Sequence, residues 1–191
     1  MKKGLLIVFS GLSGVGKGTI LKELMPMEDL NLAYSVSMTT RKPREGEVDG
    51  VNYFFVTKER FLEAIKNGEL LEHARFVEND YGTPKDYVEK MREEGKNVIL
   101  EIEIKGAKQV LEKCPDALSI YIVPPSMEEL ERRIRGRDSE DDETIMKRIS
   151  KARKELEEID IYEHVVCNDD LDKAVKDVRQ IIIDEMNKDC A

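Results

Sequence analysis

The chain has 191 residues, 40% hydrophobic and 37% charged, and its 31 basic and 40 acidic side chains leave a formal charge of −9. That is enough chain for one domain with a real core and a small inserted lobe, and the acidic balance argues against general affinity for nucleic acid or anionic membranes. The apolar run Leu5 to Phe9 is too short for a bilayer span or a signal-peptide core, and three scattered cysteines and two histidines offer neither a zinc site nor a histidine triad.

Short apolar runs alternate with amphipathic segments along the chain. Gly4 to Phe9 reads as a buried strand, followed by a glycine-rich turn and a helix from Thr19 to Met25 that stops near Pro26. Strand-like stretches come next, around Leu32 to Met38 and Tyr53 to Val56, with a polar loop from Arg41 to Asn52 between them. Thr57 is placed to cap a helix carrying Phe61, Leu62 and Ile65, and Gly68 ends it. Thr83-Pro84 reads as the N-cap and first turn of a helix running to Gly95. Asn97 to Ile104 reads as a strand, Ala107 to Lys113 as a helix and Ala117 to Val123 as another buried strand. Ser126 and Glu129 form a capping box for a helix from Met127 to Arg135. A polar break from Gly136 to Asp142 precedes a charged helix to about Glu158, a short strand at Val165 to Cys167 and a last helix from Leu171 to Asn187. Strand-then-helix alternation predicts a mostly parallel central sheet covered on both faces, a three-layer α/β/α protein, with its site at the carboxyl ends of the strands.

One motif sits where that topology puts a site. Gly11-Leu12-Ser13-Gly14-Val15-Gly16-Lys17-Gly18-Thr19 follows the first strand and opens the first helix, matching the phosphate-loop pattern G-x-x-x-x-G-K. Glycines let successive backbone N–H groups and the helix N-terminus face phosphate oxygens, and Lys17 supplies a cation for the β- and γ-phosphates. The usual hydroxyl residue after the lysine is Gly18, so the customary Mg²⁺-ligating side chain is missing; Thr19 is placed for the α-phosphate. G-K-G-T, with no N-K-x-D guanine-reading motif, points away from switch GTPases and toward enzymes that phosphorylate nucleotides.

A second cluster, Ser35-Val-Ser37-Met-Thr-Thr-Arg41-Lys-Pro-Arg44-Glu-Gly46, is followed by Gly50-Val-Asn-Tyr53-Phe-Phe. Here the sequence resembles the guanylate kinase family, whose signature S-x-S-x-T-T-R-x-P-R-x-G-E-x-x-G-x-x-Y-x-F it carries almost letter for letter. The likeness continues through Glu72, Tyr81-Gly82, Ile99 to Gly106, Pro124-Pro125-Ser126, Arg133 to Arg137 and Asn168 to Leu171.

The resemblance implies a P-loop kinase core (1–34, 86–135 and 144–191), a GMP-binding lobe at about 35–85 and a helical lid at about 136–143. It implies transfer of a phosphoryl group from ATP to GMP (and dGMP), with Mg²⁺ arriving on ATP, in purine nucleotide metabolism. Arg41 and Arg44 would clamp the acceptor phosphate in fork geometry, helped by Tyr53 and Tyr81. Glu72 would accept from guanine N1–H and its exocyclic amine, with Ser37 and Thr83 supplying hydroxyls to O6. Adenine lacks that donor pair and would leave a buried carboxylate unpaired. Glu101 and Glu103 alternate along one strand and so share a face, serving the guanosine or Mg²⁺, or else forming a solvated strand edge. Relatives usually carry aspartate at the Glu103 position and glutamine at that of Lys105.

Arg133, Arg137 and Arg148 would be the lid's phosphate-facing cations, although Glu129–Arg133 and Glu131–Arg135 also have the spacing of exposed helix pairs. Asn168 and Asp169 would sit near adenine or cap the last helix. Two alternatives share the pattern: a same-fold kinase acting on ribose 1,5-bisphosphate, and a non-catalytic protein-binding domain. Retention of Ser37, Glu72, Tyr81 and Thr83 disfavours the first; the intact phosphate loop and lid arginines disfavour the second. No protein-held metal is expected, and scattered reduced thiols (Cys114, Cys167, Cys190) suit the cytoplasm.

Overall fold

The computed structural model describes residues 2–76, 78–136 and 141–188. It opens with β1 (Leu6–Gly11), α1 (Lys17–Leu24), β2 (Leu32–Tyr34), β3 (Met38–Thr39), β4 (Phe54–Phe55) and α2 (Lys58–Lys66). Then come β5 (Leu70–Phe76), β6 (Asn79–Pro84), α3 (Lys85–Glu93), β7 (Asn97–Glu101) and α4 (Ile104–Lys113). The chain closes with β8 (Leu118–Val123), α5 (Met127–Arg135), α6 (Asp142–Leu156), β9 (His164–Cys167) and α7 (Leu171–Lys188).

Two sheets result, a mostly parallel five-stranded sheet in the order β2-β7-β1-β8-β9 and a four-stranded sheet in the order β4-β3-β6-β5. This is the expected α/β class. β1 and β8 are buried along nearly their whole length, as near-continuous aliphatic runs must be when both faces of a strand are covered. β9 ends the order and alternates instead, with Val165 49% exposed and Val166 buried.

By contact, the chain divides into two compact units: Met1–Val8 with Ala33–Ala117, and Phe9–Leu32 with Leu118–Ala191. In the first, the four-stranded sheet has its own small core. Met38, Phe61, Ala64 and Leu70 are buried there, with Phe54, Val56 and Ile65 packed against them. Phe61, Ala64 and Ile65 recur at helical spacing on α2, which Thr57 caps by accepting from the Arg60 N–H. In the second unit β8 and β9 pair in parallel, and Tyr121 packs on Tyr162 at 4.8 Å between ring centroids.

Three sequence expectations need correction. Leu32 to Met38 is not one strand: Ser35 N–H donates to Ile99 O beside β7, whereas Ser37 O accepts from Phe54 N–H beside β4. Neighbouring backbone groups are thus claimed by two sheets, and the strand breaks between them. The helix expected at Thr83-Pro84 begins one residue later, at Lys85. Thr83 lies in β6, Pro84 is the N-cap of α3 without a side-chain cap, and the Thr83 hydroxyl is spent on Glu72. Nor do Glu101 and Glu103 share a strand face. β7 stops at Glu101, and Glu103 is the N-cap of α4, its carbonyl accepting from the N–H groups of Gly106 and Ala107. Buried Ile104, Ala107 and Val110 carry helical period from that point, and it overrides the short apparent alternation.

Candidate active site

The second unit carries the phosphate loop. Leu12 and Val15 are buried and anchor the loop in the core, leaving its backbone for a ligand. Gly16 is the N-cap of α1 at φ 99°, a left-handed conformation, and a Cβ there would fall 2.6 Å from Asn168 Nδ2. Only glycine satisfies both limits. Lys17 lies across the loop, its ammonium donating to the carbonyls of Gly11 (2.6 Å) and Leu12 (3.2 Å). Gly18 is exposed on α1, and a Cβ there would meet nothing within 4 Å.

Around the loop lies a cleft of about 430 Å³, lined by Gly14, Val15, Gly16 and Thr19 together with Arg132, Arg133, Gly136, Asn168, Asp169 and Leu171. Arg133 spans it: Nε donates to Glu129 (2.7 Å), and Nη1 donates to the carbonyl of Asn168 (2.9 Å). Of the two readings of Arg133, the helix pair with Glu129 is present, and its Nη1 rests on the Asn168 carbonyl. Glu129 is held down to about 2 by Arg132 first and Arg133 second. Asn168 is buried, and its amide donates to Val15 O at 2.8 Å, so it braces the loop. The cap of α7 is made by Asp170, which accepts from Lys173 N–H at 2.8 Å. Arg148 on α6 donates to the Ser13 hydroxyl at 2.8 Å. Arg137, the remaining expected lid cation, lies outside the described residues, as does Cys190.

The first unit carries a different kind of cleft, about 390 Å³, lined by Ser37, Tyr53, Glu72, Ala74, Arg75, Tyr81, Glu101, Ile102, Glu103 and Gly106. At its base Glu72 is only 5% exposed and accepts a 2.7 Å hydrogen bond from the Thr83 hydroxyl. Burial pushes its carboxyl above the ordinary value, and the Thr83 bond and the charge of Lys113 pull the other way. A second hollow of about 290 Å³ brings Ser35, Ser37, Tyr53, Thr83 and Glu101 together.

Arg41 is held flat by aromatic and ionic partners. Its guanidinium stands 5.3 Å from the Tyr53 ring centre and 5.7 Å from that of Phe55, and its end-on fork donates two 2.9 Å bonds to Glu47. Glu47 also accepts from the Arg44 N–H at 2.7 Å, and its carboxyl is lowered to about 2, chiefly by the Arg41 bond. Arg41 is raised in return, with a smaller contribution from Tyr81. Arg44 therefore lends its backbone, while its side chain is exposed and lines neither hollow. Sequence reasoning assigned no role to Glu47, although it stands inside the quoted signature. It also missed Arg75 and the closeness of Gly106 to Glu72, which no local pattern announces.

A glycine loop backed by a lysine at the carboxyl end of a buried parallel strand defines a P-loop nucleotide-binding protein. A model of the guanylate kinase family matches residues 3–185. A guanylate kinase of Bacillus cereus is 52% identical over 184 residues, 96% of this chain and 90% of that protein. The guanylate kinase of Mycoplasma mycoides subsp. mycoides SC is 55% identical over 182 residues, yet this chain covers only 61% of its length. The crystal structure of guanylate kinase from Anaplasma phagocytophilum matches with a TM-score of 0.75 at 33% identity, over 99% of this chain and 89% of that one. The chain belongs to the guanylate kinase family. Among the described residues no helix is long and apolar enough to cross a membrane, and no group of three His, Cys, Asp or Glu side chains could hold a metal ion.

Proposed function

We propose that the protein catalyses ATP + GMP ⇌ ADP + GDP. The observation that carries this reading is the buried Glu72–Thr83 pair at the base of a cleft that also holds Ser37, Tyr53 and Tyr81. A carboxylate removed from water needs a partner with two N–H donors side by side, and guanine's N1–H and amine provide them. Ser37 is the hydroxyl for O6, while Thr83, whose one hydroxyl hydrogen goes to Glu72, orients that carboxylate; Glu101 and Glu103 are the polar rim for the ribose. Arg41, oriented by Glu47 and stacked on Tyr53, serves the monophosphate, with Tyr53 and Tyr81 as phenolic donors and Arg44 as a second cation.

For the donor, the loop amides from Gly11 to Thr19 and Lys17 receive the triphosphate, and Arg133, Arg137 and Arg148 add positive charge to it. Asn168 keeps the loop in shape at the adenosine end. The acceptor oxygen is already anionic at neutral pH, so no general base is required. One bond forms, from a GMP phosphate oxygen to Pγ, and one breaks, from Pγ to the bridging oxygen of ADP. The protein's task is to neutralise and align two polyanions. Mg²⁺ carried by ATP would supply charge neutralisation, while Lys17, Arg133 and Arg148 would hold the phosphates. Gly18 offers the ion no side-chain hydroxyl from this chain. This chemistry belongs to nucleotide recycling in the cytoplasm, with dGMP as a second acceptor.

A coupled assay of ADP release with GMP, dGMP, AMP, UMP and ribose 1,5-bisphosphate tests the reading. GMP and dGMP are expected to drive release, and the others to stay near background. Release driven by ribose 1,5-bisphosphate alone, or by none of them, overturns it.

A further inference from the structure

We propose that α4 is the positioning element for base recognition, acting on Glu72 through Gln109 and Lys113; this rests on the acceptor reading above. β5 does not run in register with β6 at the carboxylate. Leu70 pairs with Pro84 and His73 with Gly82, so two residues, Leu71 and Glu72, stand opposite the single residue Thr83. Such a bulge re-aims a side chain and disrupts the ladder beside it, leaving nearby backbone polar groups to other partners.

Those partners come from one face of α4. The Lys113 ammonium donates to the carbonyls of Leu70 (3.1 Å) and Leu71 (2.7 Å), the two residues just before Glu72. The Gln109 amide takes the residue just after it, donating to His73 O (2.9 Å) and accepting from His73 N–H (3.2 Å). Gly106, one turn earlier on the same face, lets the helix lie against the carboxylate itself: a Cβ there would stand 2.6 Å from Glu72 Oε2. Positions 106, 109 and 113 follow the i, i+3, i+7 spacing of one helical stripe.

The bulge is therefore held at both ends by side chains that line neither acceptor hollow. Without them β5 can recover regular pairing, and a one-residue slip carries Glu72 toward the opposite face of the sheet. Gln109 and Lys113 are thus positioning residues for guanine binding.

The test is steady-state kinetics of Lys113→Met and Lys113→Arg, with GMP and ATP varied separately and thermal unfolding recorded alongside. Lys113→Met is expected to raise KM for GMP about tenfold, a part of the roughly 100-fold that a 1 Å misplacement can cost. Its kcat and KM for ATP should stay within about twofold, and Lys113→Arg, which keeps donors for both carbonyls, should restore KM for GMP. If Lys113→Met lowers Tm while KM for GMP is unchanged, or if KM for ATP rises in parallel, the proposal is overturned. Should Lys113→Met fail to fold, Gln109→Met carries the same expectation and the same overturning results. Failure of the wild-type protein to phosphorylate GMP would remove the acceptor reading as well. A wild-type enzyme active on GMP with an unaffected variant removes this proposal alone.

Discussion

The two clefts handle anions in opposite ways. In the phosphate-loop unit, cations rest on main-chain carbonyls: Lys17 on Gly11 and Leu12, Arg133 on Asn168. Such contacts recognise charge and little else, and they join the phosphate-loop stretch to two distant residues, Arg133 and Asn168. In the other unit the cation Arg41 is paired with the Glu47 carboxylate, and on the proposed reading the discriminating group is a buried acid. Selectivity there would come from the penalty of burying Glu72 without guanine's two N–H donors, which a wrong base cannot relieve. A site built on backbone tolerates sequence change outside its glycines and lysine. A site built on one buried carboxylate depends on everything that aims it.

The sharpest way to break this contrast is Lys17→Met. The fold should survive, because the lysine's hydrogen bonds to Gly11 and Leu12 go to carbonyls of its own loop. Turnover should fall by roughly 10²–10³, the usual consequence of removing a preorganised donor to developing charge. A stopped-assay kcat close to wild type would show that the loop's amides suffice.

Glu72→Gln should come next. KM for GMP is expected to rise roughly 10–100-fold, matching the ~1.5–3 kcal/mol of a charged hydrogen bond, with KM for ATP little changed. Equal losses for both nucleotides would dismiss the division of labour between the clefts. Acidity sharpens the same point. The folded-state pKa of Glu72 is raised by burial, so its contribution to stability is favourable below the unfolded value and is lost as pH rises through the folded one. GMP needs the ionised form. Lowering the pH from neutral should therefore depress kcat/KM for GMP, and Glu72→Gln should flatten that limb. The same variant should raise Tm more at neutral pH than at pH 4, because burial penalises the carboxyl only as it ionises. Glu47 has the opposite sign. Lowered to about 2 by Arg41, it stabilises the folded state above its ordinary value and loses that contribution as pH falls toward 2.

The smallest expected effect is Gly18→Ser. Nothing lies within 4 Å of the added Cβ, so the hydroxyl fits, and α1 should gain a few tenths of a kcal/mol in helix propensity. Thermal unfolding should therefore shift upward slightly or not at all. A lower Mg²⁺ requirement in the assay is the informative outcome, because it would show that the loop lacks a ligand and not merely a side chain.

Much of this architecture is legible in the sequence. Strands such as Leu6–Gly11 and Leu118–Val123 are apolar nearly throughout, so they read as strands wherever they are placed. The phosphate loop is legible because its geometry is local: glycines, lysine and helix start are consecutive. The caps at Thr57 and Ser126 are legible for the same reason. Elements three residues long or shorter are not, because the sheet claiming each backbone group is chosen by distant partners. Ser35 and Ser37 go to different sheets for that reason.

The acceptor cleft divides along the same line. Composition and local spacing determined the α/β class and the phosphate loop, and the family resemblance nominated the side chains proposed to hold a guanine nucleotide. Tertiary structure alone decided that Thr83 spends its hydroxyl on Glu72 and not on a helix cap, that Glu47 braces Arg41, and that α4 grips the bulge carrying the carboxylate. The physical reason is range. Helical period, capping and glycine geometry act over a few residues and are written in neighbours, whereas burial of a charge is set by whichever segments the whole fold packs around it.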